Sequence, residues 1–432
     1  MARIKVAYIG GGSTRAPGCI AGWLRQGENF RGSEIVLIDL DAHRLGVVRE
    51  LAQKMSDARA LDIRFTATTD RLAGLQDCDA VLSSFRPGGF EARHLDESIP
   101  LKHGVIGQET QGPGGFFMAL RSIQAVKGII ADIERVAPKA RLFNYTNPVN
   151  IVAEAVTHHS DIPTVSLCEG PLIFPPDIAV AAGLDPSLVE ATSIGLNHGS
   201  WSVRQTYDGK DFVPLVEEAW RERRDDPALT LQQRRLLHMT AAMQSLPSQY
   251  FKYYYFTDEI LHEMQSAPTT RAQDIMAKVP DYWRHYEEQA RSDNPRLDER
   301  LSRGSLDELE IAIDVMDAVF NDRGEVWPVN VPNNGAIADF PDDLVVEVPG
   351  FVDRTGVRPI ASGAMPRQVA GLVHMLAEYQ AATARVGWDG NRRQAIQALA
   401  SNPLVMSLKK AEAIFDEMAH AHRDYISPTL FS

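Results

Sequence analysis

Residues 4–20 read IKVAYIGGGSTRAPGCI, and this stretch decides the fold. Residues 4–9 have the apolar run of a buried strand, GGGST has the composition of a turn, and the residues from about 14 to 26 have a helical pattern. Another apolar run follows at 35–40. This succession predicts a βαβ unit, which is the building block of a parallel sheet.

The same alternation continues through the first half of the chain. Apolar runs at 79–85, 141–145 and 162–168 are separated by helical segments. This pattern predicts an α/β fold with a doubly wound, Rossmann-like parallel sheet covered on both faces, as in lactate and malate dehydrogenases. We expect residues 1–195 to form this domain.

The second half of the chain has a different pattern. Longer helical segments with polar loops predominate, and strand-like patches occur at 326–331 and 344–352. Residues 196–432 are therefore predicted to form a second, mostly helical α+β domain. Its clearest helix is predicted to begin at Ser305, where SLDE fits a capping box and Ile313, Met316 and Phe320 continue an apolar stripe.

Charge and composition exclude several classes of function. The chain has 432 residues, with 57 Asp and Glu against 44 Lys and Arg, which gives a net charge of −13. Such a balance repels nucleic acid and anionic lipid, so we expect neither as a partner. The start, MARIKVAYIGGG, lacks the apolar core and cleavage site of a signal peptide, and we expect the protein to be cytoplasmic.

The glycine-rich turn predicts a dinucleotide site. It follows a strand and opens a helix, so the backbone N–H groups near Gly10 and Gly12 could point at a pyrophosphate. Arg15 stands where the third glycine of the usual motif would be. Asp39 ends the second strand, where a carboxylate would bind a ribose diol and favour NAD over NADP. The alternative is a structural turn followed by a helix-capping aspartate.

A second segment at the same edge of the predicted sheet is NYTNPVN, at 144–150. Asn147 in it could face both the nicotinamide and a substrate, because ligands of open α/β folds bind at this edge. A 2-hydroxyacid dehydrogenase stays open at this point, since such enzymes also have Asn-Pro-Val after a strand. The candidate cofactor-binding residues are Gly10, Gly12, Ser13, Thr14, Asp39 and Asn147.

Several segments taken together resemble glycoside hydrolase family 4, whose members are NAD- and metal-dependent glycosidases. In chain order the segments are IGGGST at 9–14, EARHLDESIPLKHGVIGQETQGPGG at 91–115, NYTNP at 144–148, SLCEGP at 166–171, GLNHGSW at 195–201, PSQYFKYYY at 247–255 and VNVPNNGAIADFPDDLVVEVP at 329–349. The resemblance implies a glycosidase in which bound NAD takes a hydride from C3 of the sugar. A base then removes the C2 proton, the aglycone leaves, water adds and the hydride returns.

The resemblance also implies a divalent cation, usually Mn²⁺, on the sugar oxygens. Cys168 and His198 match the family's metal ligands, and each follows a predicted strand. Without the resemblance, the pair would be interpreted as a buried thiol and a surface imidazole. A thiolate is an unusual partner for manganese because soft ligands prefer softer metals, so the identity of the metal depends on the resemblance.

The catalytic candidates are Tyr250, Glu169 and Tyr254. Glu169 follows the thiol where the family's members have Asp or Asn, and it could protonate the leaving oxygen or orient the metal shell. The family's C2 base is a tyrosine in the region matching PSQYFKYYY, and Tyr250 is the first choice there. Tyr250, Tyr253 and Tyr254 would share one face of a helix. An aromatic core stripe is the alternative for at least one of them.

The substrate is expected to be a glycoside, with a 6-phosphate bound by arginine. Ser13, Arg86 and Arg93 resemble family positions that hold the sugar or its phosphate, Asn147 faces the substrate, and Arg303 is a further candidate. Arg93 could instead pair with Asp96 or Glu97.

The favoured activity is that of a 6-phospho-β-glucosidase. The alternatives are an α-glucosidase or α-galactosidase of the same family, and a net NAD-dependent hydroxyacid or sugar dehydrogenase. The resemblance implies a homodimer or homotetramer, with the second domain carrying substrate, metal and subunit contacts.

Overall fold

The computed structural model of the chain describes residues 1–303 and 310–431. Strands and helices alternate in the first half, as predicted. The elements are β1 Lys5–Ile9, α1 Ala16–Arg25, β2 Ser33–Ile38, α2 Ala42–Asp57, β3 Ile63–Thr68, α3 Arg71–Leu75, β4 Ala80–Ser83, α4 Gly89–Lys102, α5 Gly112–Val136, β5 Arg141–Asn144, α6 Val149–Thr157, β6 Thr164–Ser166 and α7 Gly170–Ala182.

The second half begins with a hairpin and continues mostly as helices. Its elements are β7 Val189–Leu196, β8 Gly199–Tyr207, β9 Lys210–Asp211, α8 Val213–Arg223, α9 Leu231–Met243, α10 Lys252–Tyr255, α11 Thr257–Ser266, α12 Arg271–Arg291, α13 Ile311–Phe320, β10 Glu325–Pro332, β11 Val345–Asp353, β12 Gly356–Pro359, α14 Arg367–Asp389, α15 Arg392–Ser401 and α16 Leu408–Ala421. Helix α13 carries the end of the predicted apolar stripe. The predicted capping box at Ser305 lies outside the described residues.

The strands of the first half form a parallel sheet in the order β3-β2-β1-β4-β5-β6. Strand β1 lies between β2 and β4, and Val6 is in register with both Ile35 and Ala80. Its central residues are fully buried because helices cover both faces of the sheet, which explains the unbroken apolar run. The predicted doubly wound sheet is therefore confirmed.

The sheet continues without a break into the second half. Antiparallel strands follow β6 in the order β10-β11-β7-β8-β9, and β12 pairs with β11. Asn330 of β10 is in register with Ser166 of β6, and Glu347 of β11 is in register with Gly195 of β7. The predicted boundary at residue 195 lies inside β7, and the division into two domains stays a prediction.

The order of the strands determines where the loops meet. The chain runs outward from β1 to β3 on one side and from β4 to β6 on the other, so the switch point lies between β1 and β4. Gly10, with φ +96°, packs there against the loop after β4. A Cβ on Gly10 would lie 2.0 Å from the carbonyl oxygen of Ser84, so this position requires glycine.

Among the described residues, no helix is both long and apolar enough to span a bilayer.

Candidate active site

The glycine turn is held mainly by its own amides. Gly10 and Gly11 donate their N–H groups to the carbonyl of Ile38, at 2.9 and 3.2 Å, and Gly12 donates to Oδ2 of Asp39 at 2.9 Å. Asp39 thus fastens the turn to the end of β2. It is not a helix cap, because Asp41 caps α2 by accepting from the N–H of Arg44.

The amides of this turn that remain available to a ligand lie next to helix α1, whereas the sequence pointed to those near Gly10 and Gly12. Helix α1 begins at Ala16, and Ser13 donates its N–H to Gly10. Within the part of the chain that the structure describes, the N–H groups of Thr14 and Arg15 have no acceptor. An anion at the start of α1 would therefore meet these two amides, while those of Gly10 and Gly12 serve the turn.

Two of the predicted site residues meet at the C-terminal edge of the sheet. Cys168 follows β6, and His198 is the second residue of the two-residue turn between β7 and β8, in the left-handed region with φ +60°. Sγ of Cys168 lies 3.7 Å from Nε2 of His198. Residues 30 positions apart are thus brought together by the sheet.

The neighbours of His198 favour one tautomer of its ring. Nδ1 lies 3.0 Å from Oγ1 of Thr110, whose hydroxyl donates to Oε1 of Gln108 at 2.9 Å. Since that hydrogen is engaged, Oγ1 accepts the Nδ1 hydrogen of His198. Nε2 then presents a lone pair toward Cys168, as a metal ligand must.

Tyr250 packs directly on this pair. Its ring stacks on His198 with centroids 3.7 Å apart and planes 10° apart. Burial raises the pKa of Tyr250 well above its usual value, and the nearby Cys168 and Glu109 add to the effect.

The other two tyrosines have different surroundings. The hydroxyl of Tyr254 donates to Oε1 of Gln111 at 2.6 Å, and Tyr253 is buried in a small apolar cluster with Ile106 and Ile260. Tyr250 lies in a short 3₁₀ turn, while Tyr253 and Tyr254 belong to α10, so the three do not lie on one continuous α-helix.

The donor set fits a divalent cation. Burial raises the pKa of Cys168 to about 12 and lowers that of His198 to about 4, so without a cation the pair is a thiol and a neutral imidazole. A bound cation favours the thiolate, which is the ligating form. Within the described residues no third Cys, His, Asp or Glu completes a cluster. The other coordination positions of such a cation would be open to water or substrate.

Glu347 of β11 supports the turn that carries His198. Its carboxylate accepts from Asn197 Nδ2 at 3.0 Å and from Ser200 Oγ at 2.8 Å, on either side of that histidine. Burial raises the pKa of Glu347 to about 7. The sequence contains this residue in the segment VVEVP, but no local pattern indicates that it reaches another hairpin.

A cluster of arginines lies beside the pair and converges on Glu109. Oε2 of Glu109 lies 2.6 Å from Arg86 Nη1 and 3.0 Å from Arg93 Nη1. Arg93 also pairs with Glu97 at 2.7 Å, whereas Asp96, the other partner considered from sequence, pairs with Arg121. Burial acts to raise the pKa of Glu109, but Arg86 and Arg93 outweigh it and lower the pKa.

Arg303 also lies in this cluster, and it forms no ion pair with any of the described residues. Its guanidinium lies 5.1 Å from the ring centroid of Phe90, and Arg86 lies over the same ring at 5.7 Å. Burial, together with the positive charge of Arg86, lowers the pKa of Arg303 to about 10.

One loop connects the arginines to the metal-ligand candidates. Thr110 contacts His198, and the preceding residue, Glu109, contacts Arg86 and Arg93. Two predicted polar residues nearby also have buried oxygens that find no hydrogen-bond partner among the described residues, namely Oγ of Ser13 and Oδ1 of Asn147. The predicted cofactor, metal and anion residues thus lie around the same sheet edge.

Comparison with known proteins identifies the family. The model described as Family 4 glycosyl hydrolase matches residues 5–183, and that of the Family 4 glycosyl hydrolase C-terminal domain matches residues 193–405. The chain is 34% identical to a probable 6-phospho-beta-glucosidase of Bacillus subtilis, over 99% of this chain and 98% of that protein. The chain belongs to family 4 of the glycosyl hydrolases.

Solved structures of family 4 enzymes have the same fold. A 6-phospho-alpha-glucosidase from gut microorganisms, in complex with NAD and Mn²⁺, has a TM-score of 0.86 at 26% identity, covering 99% of this chain and 100% of that one. The 6-phospho-beta glucosidase of Thermotoga maritima, with NAD and glucose-6-phosphate, has a TM-score of 0.85 at 26% identity, covering 98% and 99%. The predicted family, fold class and glycosidase activity are confirmed.

Proposed function

We propose that this family 4 enzyme hydrolyses 6-phospho-glucosides, and 6-phospho-β-glucosides in particular. The supporting observation is that Arg86 and Arg93 converge one residue from Thr110, which orients His198. A sugar whose C2 and C3 hydroxyl oxygens face the Cys168–His198 pair would extend its 6-phosphate toward these guanidinium groups, which can bind phosphate bidentately. Arg303 adds a third positive charge.

The cofactors we propose are NAD and Mn²⁺, as in the complexes of the related enzymes. NAD would supply a hydride acceptor for C3 of the sugar, and the cation would supply Lewis acidity toward the sugar oxygens. The start of α1, with the amides of Thr14 and Arg15, is the proposed pyrophosphate site. Asp39 is proposed to bind the adenosine ribose, and Asn147 to contact both nicotinamide and sugar.

In this proposal Tyr250 removes the proton from C2. Its phenol becomes a useful base only when its pKa falls, and a cation on Cys168 and His198 would lower it across the stacked rings. Thr110 keeps the lone pair of His198 directed at the site. Tyr254, whose hydroxyl donates to Gln111, is proposed to support the base and not to replace it.

The β anomer is favoured by the 34% identical relative, which is a probable 6-phospho-beta-glucosidase. The α anomer is the second candidate. The maltose-6'-phosphate glucosidase of Fusobacterium mortiferum is 29% identical over 98% of this chain. Glu169 does not decide between the anomers, because the family's α-specific members resemble Cys-Asp and its phospho-β members Cys-Asn at this position, and glutamate fits neither well.

We further propose a homodimer or homotetramer in the cytoplasm. The compartment follows from the chemistry of the site, because an oxidised Cys168 could not bind the cation and the cytoplasm keeps thiols reduced.

The test is a panel of nitrophenyl α- and β-glucosides with and without 6-phosphate, supplied with NAD, Mn²⁺ and a reductant. We expect release of nitrophenol from the 6-phospho-β-glucoside without accumulation of NADH. Arg86→Met should raise the KM for phosphorylated substrate about 100-fold. Arg71→Met, which breaks an ion pair with Asp132 elsewhere, is the control. Stoichiometric NADH would instead indicate a net dehydrogenase.

A further inference from the structure

The residue after the thiol ligand is tied to the glycine turn. Glu169 is the residue directly before α7, and its Oε1 lies 3.3 Å from Nη2 of Arg15. Arg15 occupies the last position of the glycine turn, directly before α1. A single ion pair therefore links the proposed pyrophosphate site to the loop that carries Cys168.

Arg15 is held from a second side as well. The same Nη2 lies 3.4 Å from Oε1 of Glu310, which is almost fully buried, and the guanidinium carbon lies 5.4 Å from the ring centroid of Tyr145. The guanidinium is thus fixed between two carboxylates and an aromatic face. Because it is anchored, it can fix the position of Glu169 in turn.

The direction of the Glu169 side chain matters for its role. A group that protonates the leaving oxygen has to present a hydroxyl to that oxygen. The carboxylate of Glu169 instead points toward the glycine turn, where it forms an ion pair with Arg15. The side chain is 19% exposed, so little of it faces open solvent.

We propose that Glu169 is a positioning residue that acts through Arg15, and not the acid of the reaction. The pair holds the turn with the Thr14 and Arg15 amides at a fixed distance from the Cys168 loop. The inference rests on the proposed function for its chemistry, and the role differs from the two that the sequence leaves open, which are to protonate the leaving oxygen or to orient the metal shell.

The leaving group must then depart without a carboxylic acid at position 169. The electron pair that Tyr250 leaves at C2 forms a double bond to C1, and the C1–O bond breaks with its electrons on the aglycone oxygen. That oxygen takes its proton from water. The enzyme should accordingly favour aglycones that are stable as anions, such as acidic phenols.

The experiment is a double-mutant cycle of Arg15→Met and Glu169→Gln. NAD affinity is measured by fluorescence titration of the protein, and kcat/KM is measured on aryl 6-phospho-glucosides whose phenols differ in acidity. Each single variant should bind NAD about 10-fold more weakly than the wild type. The NAD affinity of the double variant should be no lower than that of each single variant. The dependence of kcat/KM on phenol acidity should be the same in Glu169→Gln and in the wild type.

Arg25→Met is the matched control. Arg25 lies at the other end of α1, pairs with Asp314 at 3.0 Å, and has a side chain 35% exposed against 37% for Arg15. It should leave NAD affinity unchanged. If Arg15→Met or Glu169→Gln does not fold, the conservative variants Arg15→Lys and Glu169→Asp give the same cycle, and each should weaken NAD binding by less than about 10-fold.

Two results would overturn the inference. One is a loss of activity in Glu169→Gln that grows as the phenol becomes less acidic, with NAD affinity unchanged. The other is additive effects of the two substitutions on NAD binding. A wild-type enzyme that hydrolyses no phosphorylated glucoside would overturn the proposed function instead, and the NAD-binding cycle can still be measured in that case.

Discussion

At the scale of single residues, the site depends on pairs that orient one another. His198 is suited to bind a cation because Thr110 accepts the hydrogen of its other ring nitrogen, and Thr110 can do so because Gln108 engages its hydroxyl. Such partners fix the tautomer and the ring orientation of a ligating histidine, and losing them weakens metal binding. We therefore expect the contact with Thr110 to affect the affinity for the cation.

Thr110→Val tests this contact. It keeps the shape of the side chain but removes the acceptor for His198 Nδ1, so Mn²⁺ affinity should fall about 10- to 100-fold. Equilibrium dialysis or calorimetry with Mn²⁺ measures it. Thr157→Val is the control, since that hydroxyl bonds a helix carbonyl in α6. Equal Mn²⁺ affinity in wild type and Thr110→Val would show that the contact does not orient the ligand.

The two metal-ligand candidates make a separate prediction. Cys168→Ser and His198→Ala should each reduce kcat/KM more than about 100-fold, because removing a ligand costs at least as much as removing its supporting partner. Both variants should keep their NAD affinity within about twofold, since neither residue belongs to the glycine turn. Full activity in either variant would remove that residue from the metal site.

At the scale of elements, the loop after β4 packs against the glycine turn after β1 and fixes its position. Gly10 has to be glycine because a Cβ would collide with the Ser84 carbonyl and its φ is +96°. Ser84 is the neighbour of Gly10 because of the strand order, since β4 lies next to β1 although five elements (α1, β2, α2, β3 and α3) separate them in sequence.

Gly10→Ala should therefore destabilise the protein by about 1–3 kcal/mol and weaken NAD binding. Gly46→Ala in α2 is the opposite case, because a Cβ there would have no atom of the described chain within 4 Å. The free energy of unfolding of that variant should rise by about 0.5–1 kcal/mol, because alanine has the higher helix propensity. Urea unfolding of both variants measures the difference. A Gly10→Ala variant as stable as the wild type would show that the two loops can separate.

The sequence predicts the elements better than their long-range partners. Buried strands and amphipathic helices have local periodicity, so the parallel sheet and the turns at its edge were predictable. Glu109 and Glu347 were not identified as parts of the site, because each acts on residues far along the chain. The sequence placed Cys168 and His198 as candidates only through the family resemblance, since two residues 30 positions apart form no local motif.

At the scale of the whole molecule, His422 joins the C-terminal segment to a buried ion pair of the first half. Arg121 of α5 binds both carboxylate oxygens of Asp96 in α4, at 2.8 and 2.6 Å, and Nε2 of His422 lies 3.0 Å from the same carboxylate. All three side chains are almost completely buried. Breaking such a pair leaves an uncompensated charge in the interior.

Asp96→Asn should accordingly lower the free energy of unfolding by about 3–5 kcal/mol at pH 7, because Arg121 keeps its charge but loses the carboxylate that balances it. Urea unfolding at pH 7 measures this value. Asp132→Asn, which removes a partly exposed partner of Arg71, should cost less than about 1 kcal/mol. Equal losses in the two variants would mean that burial adds nothing to the Asp96 pair.

The same cluster predicts how stability depends on pH. Burial lowers the pKa of His422 although Asp96 acts against it, so the unfolded chain takes up this proton first, near pH 6.5. Burial acts to raise the pKa of Asp96, but Arg121 and His422 outweigh it, so the unfolded chain also protonates Asp96 first, near pH 4. Both differences make the free energy of unfolding fall as the pH falls.

Urea unfolding between pH 7.5 and 4.5 measures this dependence. His422→Gln should reduce the slope around pH 6, because that variant no longer takes up the proton on unfolding. His420→Gln, a change at an exposed position of α16, should leave the slope as it is. An unchanged slope in His422→Gln would show that another group causes the loss of stability.

The uninterrupted hydrogen-bonded sheet limits how the enzyme can admit its substrate. A rigid-body swing of one half away from the other, as in hinge-closing enzymes, would have to separate β6 from β10. The core strands therefore act as a frame shared by both halves of the chain. Sugar entry and product release should be gated by the loops at the rim of that frame, and turnover should respond most to changes in those loops.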